Sequence, residues 1–98
     1  MIALYISKDE QVRGVAYSYD ELYRETFSPI EWNVLILDTV KGKTYAEKKA
    51  HVRDKAIDYS YLWDAVRTMY DIMNVEEWFY RYGKRYGLLK EFHENGIC

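Results

Sequence analysis

The sequence predicts an α+β fold: a small two- or three-stranded antiparallel sheet packed against a helical C-terminal half. Three observations carry that expectation. Ile2, Leu4 and Ile6 alternate with Ala3 and Tyr5 in the pattern of a strand. Trp32 to Val40 is largely aliphatic, with Val34, Leu35, Ile36 and Leu37 at its centre, and Lys41-Gly42-Lys43 closes it as a turn would. From Thr44 onward, apolar residues recur at helical spacing instead. A strand, a helix, a strand and then three or four helices is the order of an α+β domain, in which the helices must cover so small a sheet.

Each element has its own local reason. After the first strand, the residues around Val12, Gly14 and Val15 fit either a second short strand or a turn. Ser18-Tyr19-Asp20-Glu21 is a capping box, whose hydroxyl and carboxylate satisfy orphan N–H groups at a helix start. A helix is expected over about 19–27, with Leu22, Tyr23 and Phe27 as its apolar side. Pro29 suits the first turn of a helix, but the aliphatic run behind it reads as a buried strand over about 32–40.

Thr44-Tyr45-Ala46-Glu47 is a second capping box and the clearest helix start in the chain. That helix should reach about Tyr59 and bury Tyr45, Val52, Ala56 and Tyr59. Ser60 is placed to cap another, with Leu62, Ala65, Val66, Met69, Ile72 and Met73 as its apolar face. Asn74 is expected to cap a third, with Val75, Trp78, Phe79 and Tyr82 on one side and Gly83 as its left-handed C-terminal residue. Leu88, Leu89 and Phe92 predict a last short helix, stopped at Asn95-Gly96.

At 98 residues the chain is expected to be a single domain, residues 1–98. Its 14 Lys and Arg against 16 Asp and Glu give a net charge of -2, which argues against a dedicated duplex-DNA binder. Cys98 is the sole cysteine, so no intrachain disulfide forms and a cytoplasmic home is expected. Residues 1–7 lack the features of a signal peptide, and no apolar run approaches the roughly 20 residues of a membrane span.

The chemistry-bearing patterns point to binding rather than catalysis. Glu47, His51 and Asp54 share a helical face, but Lys48, Arg53 and Lys55 surround them and the pattern reads as a solvated surface. Glu91, His93 and Glu94 lie near Cys98, yet a chain end is a poor place to hold an activated thiol. No phosphate-binding loop, dinucleotide fingerprint or nucleophile elbow is present. No catalytic residue, metal ion or cofactor is expected.

Two basic concentrations stand out. One comprises Lys41, Lys43, Lys48, Lys49, Arg53 and Lys55; the other is Arg81, Lys84 and Arg85 within the tract Trp78 to Gly87. Glu77 and Arg81 also form an ordinary i, i+4 pair. If the two clusters converge, they form a basic groove with Tyr45, Tyr80 and Tyr86 as stacking surfaces. Helical spacing assigns Trp78, Phe79 and Tyr82 to the core, which leaves Tyr80, Arg81, Lys84, Arg85 and Tyr86, with Lys48, Lys49 and Arg53, as the candidate partner-binding residues. An acidic counterpart combines Asp9, Glu10, Asp20, Glu21 and Glu25 with Tyr5, Tyr17, Tyr19 and Tyr23, a surface able to imitate phosphates toward a basic partner.

Residues 41–49 (Lys-Gly-Lys-Thr-Tyr-Ala-Glu-Lys-Lys) and 83–97 (Gly-Lys-Arg-Tyr-Gly-Leu-Leu-Lys-Glu-Phe-His-Glu-Asn-Gly-Ile) resemble short accessory proteins of phages and mobile elements of Gram-positive bacteria. The resemblance covers roughly the C-terminal 60 residues and transfers no binding residue. It implies an inhibitor of a host defence protein, of the anti-CRISPR kind, that occupies a nucleic-acid or regulatory surface. The sequence thus predicts a non-catalytic protein-binding module. The alternative is a small binder of single-stranded nucleic acid or RNA through the basic-aromatic residues, and self-association through exposed tyrosines into a homodimer is a third possibility.

Overall fold

The computed structural model describes residues 1–65 and 68–98. Three strands, β1 (Ile2–Ser7), β2 (Arg13–Ala16) and β3 (Trp32–Leu37), form an antiparallel sheet in the order β2-β1-β3. Helix α1 (Tyr19–Glu25) lies between β2 and β3; α2 (Tyr45–Leu62), a 3₁₀ turn (Trp63–Ala65), α3 (Met69–Arg85) and α4 (Leu89–Glu94) follow. The fold is α+β, and the ambiguous segment before α1 is a strand.

β1 is the strand expected from the alternation of Ile2, Leu4 and Ile6 with Ala3 and Tyr5, and both its faces are buried. Register explains this. Leu4 sits opposite Val15 and Leu35, so these side chains share the face with Ile2, Ile6 and Leu37 that meets the helical half. Val52, Ala56, Tyr59 and Leu62 of α2, Val75 and Phe79 of α3, and Phe92 of α4 complete this main core. Ala3 and Tyr5 point the other way, into a second cluster with Ala16, Leu22, Trp32 and Ile36. There Trp32 meets the Tyr5 ring edge-on, with centroids 5.6 Å apart. Gly14 faces Tyr5, and a Cβ on it would fall 2.4 Å from the phenolic oxygen.

The turn from β1 to β2 is closed by side chains. Buried Ser7 gives its hydroxyl to the Asp9 carboxylate and accepts the Val12 N–H at 3.0 Å, while Glu10 takes a left-handed φ of 61°. The Ser7 hydrogen bond is the main reason that the Asp9 carboxyl lies below its usual range. Both capping boxes form, with one shift from expectation. Ser18 accepts from Glu21 N–H and Thr44 from Glu47 N–H, but each Glu reaches one residue further back, to the N–H of Tyr17 and of Lys43.

Other expected boundaries move, each for a visible reason. α1 stops at Glu25, where Thr26 turns its hydroxyl and N–H onto the Leu22 carbonyl, so Phe27 and Tyr23 stand exposed rather than packed. β3 ends at Leu37 because Asp38 is engaged elsewhere: its carbonyl accepts the Trp78 indole N–H at 3.1 Å and its carboxylate the Tyr19 hydroxyl. α2 buries Leu62 but leaves Tyr45 exposed, and it runs straight through Ser60, which bonds back to the Ile57 carbonyl instead of capping a new helix. The next α-helix starts at Thr68, whose hydroxyl accepts the Asp71 N–H. Leu62 and Ala65 are therefore buried and Ile72 half-buried, whereas Met69, 71% exposed, and Met73 face outward. Val66 of that expected face lies outside the described residues.

α3 continues through Asn74, whose amide donates to the Tyr70 carbonyl, and through Gly83, which is buried within the helix. The left-handed role falls to Gly87, at φ +70°, where Leu88 N–H returns to the Gly83 carbonyl at 2.7 Å. The same device recurs at α4, as expected at Asn95-Gly96: Gly96 has φ +68° and Ile97 N–H returns to Phe92. Trp78, Phe79 and Tyr82 do form the core side of α3. Phe79 is the hub, with ring centroids 5.2 Å from Tyr59, 5.1 Å from Trp78 and 5.7 Å from Phe92. Cys98 is half-buried behind Ile97, and burial pushes its thiol pKa up. Among the described residues, no helix is long and apolar enough to cross a membrane.

Three outcomes are expected. Phe79→Ala should cost about 3–5 kcal/mol, a large share of a small domain's stability, measurable by urea denaturation. A Cβ at Gly83 would lie 2.8 Å from the Phe92 ring. Gly83→Val should therefore destabilise by about 1–3 kcal/mol, despite the better helix propensity of valine. Finally, Tyr17 donates its hydroxyl to Asp71, and burial followed by that carboxylate holds its pKa well above the usual tyrosine value. A raised pKa contributes stability that is complete below the unfolded value and is lost as pH climbs beyond it. Tyr17→Phe should cost at most about 1 kcal/mol at neutral pH for this partly exposed bond. The gap between the two proteins should narrow above about pH 10.

Candidate functional site

The residues expected to form a basic-aromatic site separate into four fates. Tyr86 is not free to bind: it is 4% exposed and packs within the main core, its ring centroid 5.5 Å from that of Tyr45. Its position directly before the Gly87 turn draws it inward, a placement that depends on the turn being at Gly87 rather than Gly83. Arg81 and Arg53 are exposed but ion-paired, Arg81 with Glu77 at 2.6 Å and Arg53 with Glu91 at 3.0 Å. The second pair ties α2 to α4. Tyr80 and Lys84 are exposed on α3, and Lys49 is half-buried on α2.

Lys48 and Arg85 do converge. With Lys43, Thr44, Tyr45 and Tyr86 they line an open recess of about 260 Å³ between the start of α2 and the end of α3. The Arg85 guanidinium lies 5.9 Å from the Tyr86 ring centroid, within cation–π range. Gly42 brings the lysine-bearing loop against the helix: at φ +146°, a Cβ on it would lie 2.9 Å from both Glu47 Cβ and Lys48 N. The two basic clusters thus meet at their edges, through Lys43, Lys48 and Arg85, rather than along their length. Tyr80 lies outside that recess.

A second surface is organised by tyrosines and carboxylates. Seven of the 11 tyrosines are exposed: Tyr17, Tyr19, Tyr23, Tyr45, Tyr61, Tyr70 and Tyr80. Four of them form two pairs. Tyr17 packs on Tyr70 with centroids 5.8 Å apart and is held by Asp71; Tyr19 packs on Tyr23 at 6.1 Å and is held by Asp38. The Asp38 hydrogen bond is the main cause of a raised Tyr19 pKa. Around these rings α1 carries Asp20, Glu21 and Glu25. Tyr5, expected on this face, is buried beneath it. Tyr70, Asp71 and Asp38 are not among the expected residues of this face; the pattern Thr68-Met69-Tyr70-Asp71, a capping box in its own right, is the signal that places Tyr70 and Asp71 at an exposed helix start.

The remaining chemical candidates are occupied or isolated. Glu47 spends its carboxylate on the Lys43 N–H. His51 Nε2 is buried without a hydrogen-bond partner, and burial lowers the ring's pKa below the usual value. Among the described residues, no group of three or more His, Cys, Asp or Glu is arranged to hold a metal ion. Comparison with known protein families, with curated proteins and with solved structures finds no match for this chain.

Proposed function

We propose that this chain is a non-catalytic protein-binding module that lays its tyrosine–carboxylate face on a basic surface of another protein. The supporting observation is that the exposed rings are already fixed: Tyr17 by Asp71 and Tyr19 by Asp38, each stacked on a second tyrosine. Side chains held in place before contact lose little conformational entropy on binding, and tyrosine is enriched among the residues that dominate interface energy. The neighbouring carboxylates Asp20, Glu21 and Glu25 add the charge that steers such a face toward a cationic groove. A groove of that kind is what a nucleic-acid-handling protein offers to phosphates. In this reading the chain inhibits a host defence protein of the CRISPR-Cas type by occupying that groove, the use implied by its resemblance to phage and mobile-element accessory proteins.

The test is capture from a nuclease-treated bacterial lysate by the immobilised protein, with the triple variant Tyr19→Ala, Tyr23→Ala, Tyr70→Ala alongside. A protein partner should be retained after nuclease treatment, and the variant should bind it at least about tenfold more weakly while keeping its circular dichroism spectrum. Recovery that vanishes with nuclease, or that the variant leaves unchanged, would overturn the proposal.

A further inference from the structure

The recess between α2 and α3 carries a property that the tyrosine–carboxylate face does not use. Its lining includes Lys43, Lys48 and Arg85 and no carboxylate. Four further recesses on the described surface each include a carboxylate residue in their lining: Glu76, Glu91, Glu77 and Asp38 respectively. The ion pairs among the described residues are Lys8–Glu31, Arg53–Glu91 and Arg81–Glu77, so none of the three recess cations is neutralised in that way. Gathering unpaired cations opposes folding, because like charges repel and no partner offsets them. The nearest carboxylate on the same helix turn, Glu47, is directed at the Lys43 N–H at 2.6 Å as part of the cap. The recess therefore gathers three cation-bearing residues with no carboxylate in its lining.

The aromatic component narrows the class of anion. Tyr45 is 58% exposed, yet its ring is seated on buried Tyr86, so it presents a fixed face at the edge of the recess. A planar ring stacking on tyrosine while its phosphate meets Lys and Arg is the recognition mode of nucleotides. The Arg85 guanidinium lies within cation–π range of Tyr86, a ring that also lines the recess.

We propose that this recess binds a nucleotide phosphate, with Lys43, Lys48 and Arg85 as phosphate ligands and the Tyr45 ring as the platform for the base. Free mononucleotides and the units of a single strand share this chemistry. The assignment is independent of the protein-binding face: Tyr70 and Arg85 lie at opposite ends of α3, separated by roughly 22 Å at the rise of an α-helix.

Three probes separate the sources: inorganic phosphate, uridine 5′-monophosphate, and an oligothymidylate of about ten nucleotides, a length within the usual range of single-strand sites. Binding is followed by isothermal calorimetry at low and moderate salt. At least one nucleotide probe should bind. The double variant Lys48→Gln, Arg85→Gln should weaken it by at least about tenfold, and each cation removed should lower the salt slope for the oligonucleotide by about 1. Tyr45→Ala should weaken every nucleotide probe that binds, relative to inorganic phosphate, while Tyr45→Phe, which keeps the stacking face and the Tyr86 contact, should retain that binding. Lys90→Gln, a surface lysine outside the recess, should change nothing. Preference for the oligonucleotide identifies single strands as the ligand, and preference for the monophosphate identifies a free nucleotide. Failure of both nucleotide probes at low salt would overturn the proposal, as would binding that the double variant leaves intact or a Tyr45→Phe protein that loses it.

Discussion

Burial of β1 on both faces is the constraint from which the rest of the fold follows. A strand whose two sides are both apolar needs a covering layer on each, and both of its edges must be paired to satisfy its backbone. β2 and β3 supply the edges, and α2, α3 and α4 supply one cover. The second cover is assembled from little: Leu22 of α1, Ala16, Trp32 and Ile36 around the Tyr5 ring. Gly14 makes this thin layer possible, since the ring occupies space that a side chain there would need.

A small chain that spends its apolar residues on two cores leaves others on the surface. Phe27, Met69 and Met73 are exposed for this reason, and so are most of the tyrosines. Their arrangement is not uniform. At the α1 end the rings are tethered to carboxylates, while at the far end of α3 one ring stands beside cations. The two ends of the same helix therefore present opposite electrostatic character to whatever approaches. The sheet edge adds a further asymmetry: β3 is an outer strand with no charged residue and no proline between Trp32 and Leu37.

Much of the fold was legible because local chemistry and long-range packing agreed. Ser18 and Thr44 announced α1 and α2, and Val75, Trp78, Phe79 and Tyr82 announced the buried side of α3. The failures share a cause. Ser60, Asn74 and Gly83 are residues that end or begin helices when nothing opposes them, and here a bond within the helix or a tertiary contact opposes each. Ser60 and Asn74 satisfy themselves against a carbonyl in the preceding turn, and Gly83 is kept for the space that Phe92 fills. With the helix ends displaced, the inferred surface moved too. Tyr86 went inside, and Met69 and Met73 came out. The candidate site was legible only in composition, as cations near tyrosines; which cations meet depends on α2 and α3 crossing at Lys48 and Arg85, and no local pattern encodes that.

The end of the chain carries a built-in probe of these arrangements. Ile97 is locked under Phe92 through the Gly96 turn, and Cys98 follows directly behind it with its thiol half-buried beside Glu76. Only the thiolate attacks an alkylating reagent, so burial and the adjacent negative charge both slow the reaction while the terminus is docked. Release of Ile97 would expose the sulfur and restore ordinary reactivity. Thiol labelling should therefore run more slowly in the folded chain than after unfolding, and release of the segment around Ile97 should speed it, a readout available in the unaltered chain.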